Sequence, residues 1–447
     1  MSLSRRDHRR SFLKQFGAAG IALPMLARNL ISAPPSGVVR HASFGAAGMA
    51  GGDLQNIAGH PAVQLVCAAE VDLSRLAQLR KRFSEEKVKV YQDWREMLDK
   101  EGQRLDSVNV GTPDHMHAPM AMAAMQLGLH AYVQKPLCHD LYEVRRLTEV
   151  AREKKLVTQM GIQIHSAAYY RIGVKLIQAG TIGKVREVHL WSCKKWGDGT
   201  PRPERSDPVP PTLNWDLWLG VTAPRPFLAG GYYHPGNWRK RLDFGTGTFG
   251  DMGCHIYDPV FEALALSAPL TVRSEGPAPN RWNWATDAVI RYQFPGTPFT
   301  EGSTIPLTWY DGDQRPPKDV QALLEDKKVP AQGSIFIGTK GVMLLEHIGR
   351  PVLFPQAQFK DYPLPHDSGS NHWKQFTDAI LGQGQTSAPF SYSGPLTEVV
   401  LLGSVATYFP HTTLEWNAPA LQFKNSAEAN QLVRRTYRQG WEVHGLS

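Results

Sequence analysis

Three clusters of residues in this chain combine types and spacings that chemistry requires. The first is Gly45-Ala46-Ala47-Gly48-Met49-Ala50, a glycine-bearing turn between a strand-like run and an amphipathic stretch. Glycine there lets backbone approach a pyrophosphate closely, and a helix N-terminus behind it offers unpaired N–H groups to phosphate oxygens. The second is Gln134-Lys135-Pro136 at the end of an apolar run. A lysine drawn into a cleft loses solvation and becomes a usable acid–base group. The third runs from Gly245 to His255, where a glycine-rich turn enters a helix and Asp251, His255 and Asp258 recur at i, i+4 and i+7 on one face. An amine, a carboxylate and an imidazole beside a nucleotide suit proton removal coupled to hydride transfer. Read singly, Lys135 is a solvated loop lysine, Asp251 a helix N-cap and His255 a hydrogen-bonded core histidine. Together with a nucleotide fold they favour chemistry.

The elements that must position these residues are legible in outline. Strand-like runs at 41–45, 63–69, 88–91, 107–110, 131–134 and 157–160 alternate with helical stretches at 49–58, 73–82, 93–100, 117–127 and 141–154. That alternation predicts βαβ units and a doubly wound parallel sheet of Rossmann type over residues 38–162. Residues 163–447 read differently, as an α+β domain for substrate and oligomer contacts. A helix at 169–179 and a strand at 185–195 are followed by further strands at 287–294, 299–304, 334–337 and 342–345. Successive strands without helices between them predict a mostly antiparallel, open sheet, closed by helices at 371–381 and 396–407. Both the Thr112-Pro113 turn and Lys135 then lie at carboxyl ends of parallel strands, the edge where ligands bind. Glu70, ending the second strand, suits an adenosine ribose, and its charge would repel a 2′-phosphate. NAD is therefore favoured over NADP. In the GxGxxG register Ala47 and Ala50 replace two glycines, and Ala47 crowds the phosphates slightly.

At 447 residues the chain exceeds the size of a single core, in keeping with two domains. Its formal charge of +8 invites a nucleic-acid reading, but six cations against Asp7 fall within residues 1–33 and leave the rest nearly balanced. Those residues carry Arg9-Arg10-Ser11-Phe12-Leu13-Lys14 and then an apolar stretch too short to span a bilayer. This is the anatomy of a twin-arginine signal. It predicts passage through the twin-arginine machinery to the periplasm, with an uncleaved membrane anchor as the alternative. Cys67, Cys138, Cys193 and Cys254 lack paired spacing, and His115 and His117 lack companion ligands, so neither a disulfide scaffold nor a metal site is expected.

The glycine loop, TPxxxH from Thr112 to His117, the Lys135-Pro136 pair and DxxxH from Asp251 to His255 occur in an order that resembles the Gfo/Idh/MocA oxidoreductases. The resemblance covers nearly the whole chain after residue 38. It implies a catalytic cluster of Lys135, Asp251 and His255 beside the nicotinamide. It also implies a cofactor site bordered by Gly45, Ala47, Gly48, Met49, Glu70, Thr112, Pro113, His117, Lys135 and Gln163. The family usually has EKP where this chain has Gln134, and a neutral amide cannot pair with a cation. QKP, GIQIHS, GYYHPGNWRKRLDFG and DMGCHIYDP further resemble an exported, sugar-associated subgroup. A homodimer or tetramer through the open sheet is likewise implied by the resemblance.

Eight of the twelve tryptophans lie between residues 190 and 310, where flat rings could stack on the C–H faces of sugars. Trp196 and Trp238, in glycine- or proline-bearing loops, are the better candidates. Arg239 and His165 could hydrogen-bond hydroxyls or be structural. The expected reaction is hydride transfer from a carbinol carbon of a sugar or glycoside to NAD. Export away from free nucleotide favours a tightly bound cofactor. Two alternatives stay open: a redox-neutral glycosidase working by oxidation, elimination and reduction, and a non-catalytic sugar-binding protein.

Overall fold

The computed structural model describes residues 34, 36–83 and 88–447; the twin-arginine signal read over residues 1–33 lies outside the described residues. Among these residues no helix is long and apolar enough to cross a membrane. Strands β1 (Val39–Phe44), β2 (Val63–Ala69), β3 (Lys89–Tyr91), β4 (Ser107–Val110), β5 (His130–Val133) and β6 (Thr158–Met160) form a parallel sheet in the order β3-β2-β1-β4-β5-β6. Between them run helices α1 (Gly48–Ile57), α2 (Ala77–Arg82), α3 (Trp94–Glu101), α4 (His117–Gln126) and α5 (Leu141–Glu153). Helices on both faces explain why β4 and β5 read as apolar: Val108, Val110, Ala131 and Val133 are fully buried. Strand order reverses between β1 and β4, which opens a crevice at their carboxyl ends. A capping box, Asp140 with Glu143, starts α5 just beyond Lys135-Pro136.

The second sheet has nine strands in the order β13-β12-β11-β7-β10-β9-β8-β14-β15. They are β7 (Val185–Ser192), β8 (Thr271–Ser274), β9 (Val289–Pro295), β10 (Thr304–Asp311), β11 (Gln332–Gly338), β12 (Val342–Glu346), β13 (Val352–Phe354), β14 (Thr413–Asn417) and β15 (Gln422–Phe423). β7 and β10 pair parallel; the other pairs are antiparallel. The whole is a Rossmann sheet joined to a mixed, mostly antiparallel one. The strand expected over Phe299–Thr304 is instead a loop in which Thr300 makes an isolated bridge to Val185. The real strand starts at Thr304 and contains Pro306, which discourages a strand reading. It is tolerated because pairing with β7 begins only at Leu307.

Four longer helices complete the domain: α6 (Ala168–Gln178), α7 (Gly247–Ala263), α8 (His372–Ile380) and α9 (Phe390–Ala406). α9 starts six residues before the expected position, running through Pro395 near its N-terminal end, where only the bond to Ser391 is lost. α7 is the central strut. All its residues except Asp251 and Glu262 are buried, so it has no solvent face at all. One continuous core runs from Phe44 and Val110 through Leu147 to Phe294 and Trp309, tying α7 to both sheets.

Burial sets an acid–base signature for the fold. It pulls the imidazoles of His41, His117, His130 and His347 down to about 4, and those of His139 and His372 to about 3. It pushes Asp53 up to about 6, and Asp114 and Asp311 up to about 7. The histidines bind fewer protons folded than unfolded, so they make stability rise with pH between about 4 and about 6.5. The carboxyls bind more protons folded, so they make it fall between about 4 and about 7. Among these groups histidines outnumber carboxyls in the lower window, and only carboxyls still titrate above it. Thermal unfolding across this range is expected to show a stability maximum near pH 6 to 6.5 (about) and a steep acid limb. A midpoint that climbs steadily to pH 8 or so would contradict that balance.

Candidate active site

β1 delivers the chain into Gly45, whose φ of +92° suits glycine and whose missing Cβ would stand 2.9 Å from that of Ala50. α1 begins three residues later. Its N-cap, Ala47, supplies no side-chain cap, so the first-turn N–H groups remain available to an anion. These residues open onto a cleft of about 290 Å³ that also takes in Met49, Glu70, Thr112, Pro113, His117, Gln134, Lys135, Trp238 and Arg239. Glu70 accepts the N–H of Ala46 at 3.0 Å and that of Asp72 at 3.1 Å, so it braces the glycine loop. Each of its oxygens keeps a second acceptor position for a ribose hydroxyl. Arg75 stands at the same end, 3.8 Å from where a Cβ on Gly48 would lie, and partly offsets the charge of Glu70. An uncapped helix start, a nearby guanidinium and an acid at the end of β2 fit a dinucleotide.

His117 lines the cleft, yet both ring nitrogens lie 2.8 Å from backbone carbonyls, those of Pro136 and Thr112. Only an imidazolium can donate to both, whereas burial pulls this ring down to about 4. In its neutral form it donates to one. It therefore fastens the β4 and β5 turns together.

Lys135 and Asp251, far apart in sequence, meet directly. Lys135 Nζ donates to Asp251 Oδ1 and to the Asp251 backbone carbonyl, both at 2.7 Å. Arg239 Nε donates to the same Oδ1 at 3.0 Å. Burial would raise the Asp251 carboxyl, but the two cations hold it well below the usual carboxylate range. Asp251 thus orients the lysine. His255, one turn further along α7, is buried and its Nδ1 has no hydrogen-bond partner. Burial first, and the nearby Lys135 second, push its pKa well below the ordinary value, so it is a neutral imidazole. Its ring lies 5.2 Å from that of His347, on the turn after β12. The two line a recess with Ile164, Tyr169 and Tyr170 whose volume, about 10 Å³, suits one water or one hydroxyl. His347 Nδ1 and the Tyr170 hydroxyl are also unpartnered.

Asp114 is a functional candidate the motif reading passed over. It is buried, accepts the N–H of Thr246 at 3.1 Å and its hydroxyl at 2.8 Å, and is pushed up to about 7 by burial. Within electrostatic reach of Lys135, burial thus holds the Asp114 carboxyl high while the two cations hold that of Asp251 low.

The expected sugar contacts fare less well. Arg239 lies over Trp238 at 4.2 Å and near Trp196 at 5.5 Å, besides its pair with Asp251. Its Nε is committed to the Asp251 carboxylate, and its guanidinium lies over the Trp238 ring. Trp238 is 7% exposed and donates to the Pro235 carbonyl at 3.1 Å. Trp196 is held by its backbone N–H on Thr248 Oγ1 at 2.7 Å. His165 is not a cleft residue: it is buried, 3.0 Å from both oxygens of Asp258, which accepts the Tyr392 hydroxyl at 2.6 Å. Burial works against its charge, but Asp258 outweighs it and the imidazole sits above its ordinary value. The polar stripe of α7 therefore leaves the cleft after Asp251, since Asp258 is about 10 Å further along the axis. Gln163 sits on the turn after β6 with its amide oxygen buried and unpartnered.

Comparison with known proteins agrees with this architecture. A model of an oxidoreductase family's NAD-binding Rossmann fold matches residues 39–162, and one of its C-terminal alpha/beta domain matches residues 181–443. Levoglucosan dehydrogenase of Pseudarthrobacter phenanthrenivorans is 23% identical over 190 residues, 42% of this chain and 40% of that protein. The NAD(+)-dependent scyllo-inositol 2-dehydrogenase of Bacillus subtilis is 30% identical over 124 residues, 28% of this chain and 35% of its own. The chain thus aligns with well under half the length of these relatives. Among solved structures, the WlbA dehydrogenase of Chromobacterium violaceum, bound to NADH and UDP-GlcNAcA, superposes with a TM-score of 0.60 at 14% identity, covering 87% of this chain and 99% of that one. The aldose-aldose oxidoreductase of Caulobacter crescentus gives 0.54 at 14% identity, covering 85% and 100%. With both family models matched across most of its length, the chain belongs to the Gfo/Idh/MocA family of NAD-binding oxidoreductases.

Proposed function

We propose that this protein is an exported dehydrogenase that oxidises a carbinol carbon of a sugar or glycoside with a tightly held NAD. The observation that carries the reading is the Lys135–Asp251–Arg239 cluster at the edge of the cleft that begins at the glycine loop. NAD, when bound, supplies the hydride acceptor. The uncapped start of α1 holds its phosphates, and Glu70 and Arg75 hold the adenosine end. Lys135, fixed by two bonds to Asp251, exchanges the substrate's hydroxyl proton. His255, kept neutral by burial, lies off the cleft in the recess beside His347, where its free nitrogen has room for one water. The sugar class is supported by the names of the relatives above, and export by the Arg9-Arg10 signal. A cofactor with no free pool to exchange with must be regenerated in place, by passing its hydride to the carbonyl of a second sugar that enters the same cleft and leaves reduced.

The test is to denature the purified protein, identify any released nucleotide, and screen sugars and aryl glycosides with and without external NAD. Release of NAD or NADH and turnover without added nucleotide are expected. Cleavage of an aryl glycoside without net reduction would make the protein a redox-neutral glycosidase instead. Sugar binding with neither nucleotide nor turnover would leave a binding protein and overturn the proposal.

A further inference from the structure

Gln134 stands directly before the lysine, on the turn after β5. Its side chain is not idle. Gln134 Oε1 accepts the backbone N–H of Lys135 at 3.2 Å, and its Nε2 donates to Asp53 Oδ2 at 2.8 Å. Gly161, after β6, leaves room for it: a Cβ at that glycine would lie 2.6 Å from Gln134 Nε2. The amide is therefore locked in place by close backbone approach.

Asp53 is the other half of the arrangement. It lies on α1, the helix whose first turn faces the cofactor cleft, and it is fully buried. Its donors are all neutral. Trp373 Nε1, from α8, reaches Oδ1 at 2.8 Å; the Tyr132 hydroxyl, from β5, reaches it at 3.4 Å; Gln134 reaches Oδ2. Among the described residues no cation is paired with it. A buried carboxylate without a cation is costly unless it is hydrogen-bonded on all sides, and burial does push this one up to about 6. A group so unfavourably placed is retained most simply because it does something.

We propose that Asp53 acts through Gln134 as a positioning residue for Lys135. The amide relays orientation: one end is fixed by Asp53 on the phosphate-loop helix, the other holds the lysine's own backbone. The distance between the cofactor loop and the lysine is thereby set by two bonds, with Trp373 tying the C-terminal domain to the same carboxylate. Lys135 keeps its chemistry; Asp53 keeps it in register.

A charge-swap cycle tests this, comparing wild type with D53N, Q134E and D53N/Q134E in the full-length protein. Q134E puts two carboxylates in contact and is expected to lower both the unfolding midpoint and kcat, the latter by about 10- to 100-fold through misplacement of the lysine. D53N alone is expected to lower kcat by about tenfold with little change in KM for the sugar. In D53N/Q134E the carboxylate and the amide have exchanged places, and kcat is expected to return to within about threefold of wild type. If Q134E does not fold, recovery of folded, active protein in the double variant carries the same meaning. Full kcat in D53N, or a double variant no better than Q134E, would overturn the proposal. The kinetic arm rests on the dehydrogenase reading, whereas the unfolding cycle does not. A wild type without turnover thus condemns that reading, and absence of coupling in the unfolding cycle condemns this one.

Discussion

Replacing Lys135 with methionine is expected to lower kcat by about 10²- to 10⁴-fold while the protein stays folded and retains its nucleotide. Methionine reproduces most of the lysine stem and removes only the amine. Asp251 does not become an orphan, because Arg239 Nε still donates to its Oδ1 at 3.0 Å. The glycine loop, Glu70 and Arg75 lie at the other end of the cleft and make no hydrogen bond to the lysine, so cofactor retention should be unaffected. The loss should therefore fall on turnover, and KM for the sugar should move by a small factor. Steady-state kinetics with the best sugar, together with the nucleotide released on denaturation, separate the two effects. A variant that turns over at the wild-type rate would remove the lysine from the proton path. One that loses its nucleotide would make Lys135 a binding group instead.

What the chain's letters reveal and conceal follows from the range of the interactions. β1 to β6 and the helices between them are placed to within a residue or two, because βαβ periodicity is a local property; the exception is α2, whose expected first four residues, Leu73–Leu76, form a tighter 3-10 turn. β8, β13, β14 and β15 escape notice because short strands of two to five residues take their identity from their partners. The same division runs through the site. Lys135 and Asp251 are each conspicuous in sequence, but their 2.7 Å bond joins positions 116 residues apart and is visible only in the fold. Asp114, Arg75 and His347 carry no local signal; burial and neighbours give them their properties. His165 leaves the cleft, while Trp238 and Arg239 line it, and all three make contacts within the protein that their types alone do not announce. Each is a residue type that sugars favour, and each has a protein partner: His165 pairs with Asp258, Arg239 Nε with Asp251, and Trp238 lies under the Arg239 guanidinium. Gln134 looks like a defect in the motif until Asp53 is seen on the far side of its amide.

Removing the Asp251 side chain should do more structural damage than removing Lys135, although both act at one bond. Asp251→Ala leaves two cations, Lys135 at 10% and Arg239 at 26% exposure, facing each other without the carboxylate that joins them. Breaking a buried pair from one side costs about 3 to 5 kcal/mol. The lower end applies here, since the guanidinium keeps part of its surface in water and stacks on Trp238 at 4.2 Å. An unfolding midpoint lower by roughly 3 °C is expected for a chain of this size. Turnover should fall as far as in the lysine variant, because the amine loses its fixed position and can swing away from the cleft. Asp251→Asn separates the two consequences. It retains the shape and an acceptor oxygen for Lys135, so its midpoint should lie nearer wild type. It lacks the charge that holds both cations together, so its kcat should lie nearer that of the alanine variant. If the alanine variant unfolds at the wild-type temperature, water must reach both cations, and the cluster is then a solvated edge instead of a desolvated catalytic centre.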